Sequence, residues 1–306
     1  MKTKTYTIHI FLFVATFLSM TFRENFLAVF GLLDLNTSLA IFWSEIWYSF
    51  PLIFILFAHE MGHYVPSRLY ELKVSLPYFI PFPYNPIGTM GAVIKIKEPI
   101  RNKIQLFDIG VGGPLMSLIL SIPCWIVGIY LSKLVPIDPS VDTSNFLFFG
   151  DSLFTYWTGQ WILGPYDPNL FDIHIHALAK AGWVGLLITA INLLPFGQLD
   201  GGHIIYAIFG EKYRTWINYL FIAFLSLSLV NFGWLLWAFI IFYFIKIEHP
   251  FTPDSDHNKM GKNRKCLGYF MLFSLFFIFV PSPISIGTKP GEDSLLLELW
   301  RFFLEN

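Results

Sequence analysis

Long uninterrupted runs of apolar residues are the feature of this sequence that most constrains its fold. An α-helix needs about 20 such residues to cross the apolar layer of a bilayer. Seven runs reach or approach that length: residues 6–22, 43–63, 106–131, 177–197, 215–230, 232–247 and 266–281. Only 13% of the 306 residues are charged, roughly half the share in a soluble domain. The sequence therefore predicts an all-α polytopic membrane protein with about six to seven transmembrane helices.

Some of the apolar segments leave the number of crossings open. The runs 215–230 and 232–247 are short and meet at Asn231, so they form either two crossings or a hairpin that does not fully cross. Residues 26–42 are interrupted by a polar run that begins at Asp34, which favours an outer-side or interfacial segment. The first run lacks a small-residue cleavage site, and we expect it to be a retained span rather than a cleaved signal.

Basic residues divide the loops into two classes. Lysine and arginine are concentrated at the N-terminus, in loops 64–105 and 248–265, and in the turn 211–214. Loop 132–176 instead carries five aspartates and a single lysine. Because short basic loops stay on the cytoplasmic side of a membrane, this pattern predicts seven crossings with the N-terminus inside and loop 132–176 outside.

Charge and cysteine usage narrow the classes of partner. The formal net charge is −1, which gives no global field that would attract nucleic acid, so we expect the lipid bilayer as the main surroundings and no nucleic-acid partner. Cys124 and Cys266 are too few for a disulfide framework or a cysteine zinc site. We divide the chain into an N-terminal span with its outer segment (1–42), a catalytic transmembrane core (43–210) and C-terminal helices with a tail (211–306).

The motif HEMGH places two histidines and a glutamate at the end of an apolar run. His59 and His63 are four residues apart, so on a helix both imidazoles lie on one face and can bind one zinc ion. Glu60 projects beside that ion and can take a proton from metal-bound water. A chance HExxH holding ordinary buried polar groups is the alternative. Ionisable residues are costly within a membrane and tend to be functional there, so the metal site is favoured.

A catalytic zinc takes three protein ligands, and residues 191–204 offer the third. Pro195 and Gly197 break the helix that begins near Ala177, and Asp200 follows the break. Irregular backbone at membrane depth is tolerated only where protein or water covers it. An unwound segment carrying Asp200 therefore fits the wall of a site, although Asp200-Gly-Gly can also be a tight turn between spans.

Other polar residues near these motifs have competing interpretations. Asn192 can donate to a substrate carbonyl or to the oxyanion formed in hydrolysis, or can simply hydrogen-bond a neighbouring helix. His203 can be a ligand, but an interfacial position is favoured. His174 and His176 lie on the acidic side, so we leave them out of the site.

The stretch after the first histidine motif predicts a short membrane-associated hairpin. Residues 92–97 alternate apolar and basic side chains, which indicates a half-buried strand. Such an edge can pair with an extended substrate, or the hairpin can only shield the site. Gly110-Val-Gly-Gly-Pro114 with Ser117 and Ser121 predicts close helix packing. The tail 292–306 is expected to be an interfacial helix.

These motifs together resemble the site-2 protease family of zinc intramembrane metalloproteases. The resemblance rests on HEMGH followed by Asn192-x-x-Pro195 and Leu199-Asp200-Gly201-Gly202, and it extends over roughly residues 45–285. The stretches 73–115, 150–154, 176–210 and His249-Pro250 are similar to the subgroup found in bacteria and plastid membranes. Many family members carry PDZ or CBS modules, for which this chain has no room.

The resemblance implies a core of three helices, here 43–63, 106–131 and 177–197, and one zinc ion per chain. It implies the following roles: His59, His63 and Asp200 as zinc ligands, Glu60 as the general base, and Asn192 as the substrate-orienting residue. The implied substrates are membrane-anchored proteins, cut within or near a transmembrane segment after a first cut by another protease. We expect a bacterial cytoplasmic (inner) membrane, with the active site toward the cytoplasm.

The leading hypothesis is therefore an intramembrane zinc endopeptidase. The alternative is a non-catalytic zinc-binding membrane scaffold or transporter, which would need neither Glu60 nor Asn192. A metalloprotease that acts on soluble peptides would more often use a downstream glutamate or histidine ligand than Asp200.

Overall fold

The computed structural model describes residues 2–24, 34–137, 147–167, 170–252 and 260–287, and most of them are helical. In chain order the helices are α1 (Lys2–Thr21), α2 (Leu35–Leu69), α3 (Lys103–Tyr130), α4 (Leu153–Leu163), α5 (Ala177–Asn192), α6 (Asp200–Phe209), α7 (Arg214–Ser226), α8 (Gly233–Ile240) and α9 (Lys262–Ile278). The strands are β1 (Tyr78–Pro81), β2 (Thr89–Val93), β3 (Lys133–Pro136), β4 (Leu147–Phe149), β5 (Phe171–His174) and β6 (Ile284–Ile286). The predicted interfacial helix at 292–306 lies outside the described residues.

The chain divides into two compact units. The first comprises Met1–Ile100, Val111–Leu134 and Ile173–Thr189. The second comprises Arg101–Gly110, Val135–Asp172 and Ala190–Asn306.

In the first unit, α2 is longer than the sequence predicts. The carboxylate of Asp34 accepts hydrogen bonds from the backbone N–H of Thr37 at 3.1 Å and from its hydroxyl at 2.6 Å, which caps the helix. The polar run at Asp34 therefore starts α2 instead of interrupting an interfacial segment. Residues 35–42, predicted to lie outside the span, form its first turns, and the helix continues past Pro66 to Leu69.

One face of α2 exposes a row of large aromatic side chains. Trp43, Trp47, Phe50, Phe54 and Phe57 recur at alternating spacings of four and three residues, and each is at least 38% exposed. A contiguous apolar patch of this kind is rare on a soluble monomer, whereas lipid tails cover it without cost. This row supports a membrane location for the protein.

Two helices in the described part of the chain, α2 and α3, are long and apolar enough to cross a bilayer. Shorter apolar helices run over residues 6–21, 177–192 and 233–245. A mostly helical fold is thus confirmed, and six to seven crossings stay a prediction.

Helix α1 packs against a hairpin formed by β1 and β2. The strands pair antiparallel, with Tyr78 opposite Val93. The paired strand begins at Thr89 and ends at Val93, earlier than the predicted 92–97, and the pairing continues only as an isolated bridge between Val74 and Ile96. The predicted hairpin is therefore present, with its second strand shifted toward the N-terminus.

Two side chains of α1 hold the hairpin through backbone carbonyls. Nδ1 of His9 lies 2.9 Å from the carbonyl of Pro77, and the hydroxyl of Ser19 donates to the carbonyl of Gly88 at 2.7 Å. Gly88 has φ +84, a conformation that favours glycine. Both contacts tie the hairpin to the N-terminal helix.

The second unit contains α6 to α9 and the short helix α4. Arg264 at the start of α9 forms a bidentate ion pair with Asp108, with N–O distances of 2.8 and 2.9 Å. Strands β4 and β6 pair antiparallel, with Phe148 opposite Ser285. Helix α8 continues as one π-helical turn to Ile245, and Lys246 then reverses the chain with φ +72. The segment after α8 returns toward α6, which bears on the site described next.

Candidate metal centre

The two histidines of HEMGH lie together on α2. His59 and His63 are 4% and 8% exposed, and their Nε2 atoms are 3.1 Å apart. Two nitrogens bound tetrahedrally to one zinc at about 2.0–2.1 Å would stand about 3.3–3.4 Å apart. The pair therefore fits a shared ion, as the four-residue spacing predicts.

The ring of His59 is oriented by a residue of α3. Nδ1 of His59 lies 2.8 Å from the hydroxyl of Ser117, which is itself buried. With Nδ1 as the donor, Nε2 of His59 keeps its lone pair for a metal ion, an arrangement common around metal-bound histidines. The sequence indicated helix packing as the first role of Ser117. Its position one helical turn after Gly113, in the glycine-rich stretch, was the signal in the sequence that could have indicated its contact with α2.

Glycines allow α3 to approach α2 at the histidine pair. A Cβ on Gly62 would collide with the backbone of Gly112, and a Cβ on Gly113 would collide with the imidazole of His63. Pro66 cannot donate to the carbonyl of Gly62, and that carbonyl faces Gly112. The predicted close packing of the glycine-rich stretch is confirmed, and it encloses the His63 ring.

Glu60 is also buried in the first unit. It is 5% exposed and directly follows His59 on α2. A carboxylate removed from water is expensive unless it has partners, and a positive ion near the two imidazoles would offset that cost. The burial of all three HEMGH ionisable residues is compatible with a cation bound at this point of α2.

In the second unit, Asn192 and Asp200 flank an irregular turn. Helix α5 ends at Asn192, and α6 begins at Asp200. The predicted break at Pro195 and Gly197 is therefore confirmed. Both flanking side chains are half-buried.

Glycines make this turn compact. A Cβ on Gly201 would meet the carbonyl of Leu193, and a Cβ on Gly202 would meet that of Gly197. Gly197 has φ +48, and its N–H donates to the carbonyl of Ile247 at 3.0 Å. The Asp200-Gly-Gly sequence thus forms a close-packed helix start after a turn. The two interpretations of this sequence, a tight turn and a site wall, are therefore compatible.

Two of the histidines left out of the predicted site, His203 and His176, make hydrogen bonds elsewhere. Nδ1 of His203 lies 2.7 Å from Nε2 of His249. Nδ1 of His176 accepts from the N–H of Leu178 at 3.2 Å and caps α5. His174 is exposed on β5.

Comparison with known proteins places these motifs in one family. The model of Peptidase family M50 matches residues 47–228, which include HEMGH and the irregular turn. "Probable zinc metalloprotease EGY2, chloroplastic" of Arabidopsis thaliana is 27% identical over 246 residues, covering 80% of this chain and 43% of that protein. "Probable zinc metalloprotease EGY1, chloroplastic" of Oryza sativa subsp. japonica is 37% identical over 155 residues, covering 50% of this chain and 26% of that protein. The chain spans less than half the length of these relatives.

Proposed function

Since this chain belongs to peptidase family M50, we propose that it is an intramembrane zinc metalloprotease, an endopeptidase that hydrolyses membrane-anchored proteins. The membership confirms the family predicted from HEMGH and Asp200-Gly-Gly. The observation that carries the proposal is the buried pair on α2, whose Nε2 atoms converge to 3.1 Å. The relatives' names add zinc as the metal and proteolysis as the activity.

We propose His59, His63 and Asp200 as the zinc ligands. They offer two imidazole nitrogens and one carboxylate oxygen, a donor set suited to a catalytic zinc. Support for Asp200 comes from its place at the start of α6, immediately after a turn that glycines keep compact. Ser117 orients His59 through Nδ1.

When bound, zinc supplies Lewis acidity, which polarises a peptide carbonyl and makes water more acidic. The Glu60 carboxylate accepts a proton from the attacking water while the water oxygen bonds to the peptide carbon. Glu60 then donates that proton to the leaving nitrogen as the C–N bond breaks. The side-chain amide of Asn192 donates an N–H to the carbonyl oxygen, on which negative charge develops.

The substrates follow from the location of the site. Membrane-anchored proteins can present a transmembrane segment to a buried centre, provided that it unwinds locally first. We propose that a first cut by another protease precedes this one. The pattern of basic loops supports a site toward their side of the membrane. That side is the cytoplasm for a bacterial inner membrane, whereas the relatives above are named as chloroplastic.

The substitution Glu60→Gln tests the proposal, because it removes the proton acceptor while keeping size and the metal ligands. We expect the variant to retain zinc and to lose cleavage of a model transmembrane substrate by at least about 100-fold. His59→Ala should lose zinc as well as cleavage.

Undiminished cleavage by the Glu60→Gln variant would overturn the mechanism. Zinc bound at full occupancy by a wild-type chain that cleaves no membrane substrate would instead favour a zinc-binding scaffold or transporter.

A further inference from the structure

A second histidine pair lies in the second unit, outside the proposed ligand set. Nδ1 of His203 is 2.7 Å from Nε2 of His249, and the two rings meet at 75°. His203 lies in the first turn of α6, which begins at Asp200, and His249 lies in the segment after α8. The pair therefore joins the helix that carries Asp200 to a segment distant in sequence.

The contacts of His249 fix the proton positions of both rings. Its Nδ1 lies within hydrogen-bond distance of the carbonyl of Pro250, and a carbonyl only accepts, so Nδ1 carries a proton. Burial lowers the pKa of His249, which favours the neutral ring. Nε2 of His249 is then an acceptor, and Nδ1 of His203 donates to it.

His249 is itself held rigidly by the core of the unit. Its ring stacks on Tyr206 with centroids 4.5 Å apart, and it is 3% exposed. Its backbone N–H donates to the hydroxyl of Tyr213, and its carbonyl accepts from Nη2 of Arg214 at 3.2 Å. Burial raises the pKa of Tyr213 to about 12, so that hydroxyl keeps its proton. His249 is thus a fixed support and not a loose loop residue.

The first turn of α6 is confined from other directions as well. A Cβ on Gly110 of α3 would lie 2.7 Å from Cβ of His203 and 3.5 Å from the carbonyl oxygen of Asp200. The turn before α6 is held as well, because the N–H of Gly197 donates to the carbonyl of Ile247 at 3.0 Å. The His203–His249 hydrogen bond adds a side-chain contact to this confinement.

We infer that His249 is a positioning residue, which holds the first turn of α6 through His203 so that the Asp200 carboxylate is presented in one orientation. This inference rests on the proposed role of Asp200 as a zinc ligand. Functional groups must be held within about 0.5 Å of their productive position. Partners behind metal ligands typically change metal affinity 10–100-fold when they are removed.

Two substitutions separate the hydrogen bond from the ring. His249→Gln keeps an acceptor near the position of Nε2, whereas His249→Phe keeps a ring against Tyr206 and removes the acceptor. We expect the apparent zinc affinity of the full chain, measured by competition with a chelator, to fall about 10–100-fold in H249F and less than about threefold in H249Q.

The matched control is His9→Phe. His9 makes the same kind of Nδ1 contact to a proline carbonyl and also lies against a tyrosine, Tyr78 at 4.3 Å. A general effect of losing one buried histidine would appear in H9F too, whereas the positioning role of His249 predicts that H9F keeps the zinc affinity of the wild type.

The pair His203→Asn and His203→Leu repeats the test from α6, with Asn retaining a donor near Nδ1. This pair keeps the test available where H249F does not fold.

Amide hydrogen exchange of metal-free protein gives a readout independent of zinc. We expect residues 200–209 to exchange faster in H249F than in H249Q or wild type. Equal exchange and equal zinc affinity in H249F and wild type would overturn the positioning role. A wild-type chain without zinc affinity would count against the proposed function, and the exchange comparison would still decide whether His249 holds α6.

Discussion

The imidazole of His59 shows how much of the proposed metal site lies outside its proposed ligands. Ser117 hydrogen-bonds Nδ1 of that ring at 2.8 Å, and this contact selects the tautomer that leaves Nε2 available. Four residues later on the same helix, Ser121 is equally buried, but its hydroxyl has no hydrogen-bond partner within the described part of the chain. The two serines therefore differ in whether the hydroxyl contacts a proposed metal ligand.

The first residue-scale prediction compares these two serines. Ser117→Ala should weaken zinc binding about 10–100-fold, because the His59 ring loses the partner that orients it. Ser121→Ala should leave zinc binding unchanged and should not lower stability, since it removes a buried hydroxyl without a partner. Zinc titration and thermal unfolding of both variants provide the measurement. Equal zinc affinity in S117A and S121A would show that the Ser117 contact does not orient the ligand.

The same residues show what the sequence could predict about the candidate site. His59, Glu60 and His63 lie within five consecutive residues, so helix geometry alone brings the two imidazoles together. Ser117 is 58 residues away from His59, and nothing local to either residue indicates their contact. The His203–His249 pair is separated by 46 residues and was missed for the same reason.

At the scale of elements, the crossing of α2 and α3 depends on backbone contact. Gly62 and Gly112 face each other without side chains, and Gly113 leaves room for the ring of His63. Membrane helices associate through close packing of small residues, because lipid removes the hydrophobic driving force. The helices are thus drawn together at the point where the histidine pair lies.

Replacing a glycine at this crossing should lower stability, whereas replacing a typical glycine within a helix should not. Gly112→Ala would place a Cβ against the carbonyl of Gly62, so we expect a loss of about 1–3 kcal/mol of stability from overpacking. The control is Gly159→Ala in α4, where a Cβ meets no atom within 4 Å. That variant should be neutral or gain up to about 1 kcal/mol.

Chemical unfolding in detergent, compared between G112A and G159A, measures the difference. If G112A were as stable as G159A, the crossing would have to relax easily, and the argument for a tight backbone contact would fail.

Element boundaries were harder to predict than element types. The apolar run 43–63 identified α2, but the polar residues at 34–37 indicated an interruption where Asp34 actually caps the helix. A helix cap and an interruption of an apolar segment have the same local composition. Only the structure of the residues that follow distinguishes them. The end of α5 was easier, because Pro195 and Gly197 both disfavour a helix.

At the scale of the whole molecule, apolar exposure supports the membrane assignment. The aromatic row on α2 has a counterpart on α9, where Tyr269, Phe270, Phe273 and Phe276 are each at least 49% exposed. Helix α4 buries small or polar residues and exposes a large apolar one, the reverse of a helix in a soluble protein: Thr155 and Gly159 are buried, and Trp161 is 82% exposed. Side chains of this kind cannot all face water, and Trp and Tyr are the residues favoured at the edge of a bilayer.

The last prediction concerns the side on which each loop lies. Asp167 belongs to the acidic loop and Lys212 to a basic turn, both exposed, and the predicted topology places the α5 crossing between them. In a chain with Cys124→Ser and Cys266→Ser, we expect Asp167→Cys and Lys212→Cys to react with a membrane-impermeant maleimide from opposite faces of sealed vesicles. Ala190→Cys, at a position fully buried within the protein, should react from neither face until the protein is unfolded.

Labelling of both cysteines from one face would mean that the chain between them enters and leaves on the same side. In that case α5 and α6 would form a re-entrant pair, and the seven-crossing topology would be wrong. The side of the membrane that Asp200 faces would then have to be measured directly. Opposite labelling would instead place Lys212 on the membrane side opposite Asp167, which is the side proposed for the active site.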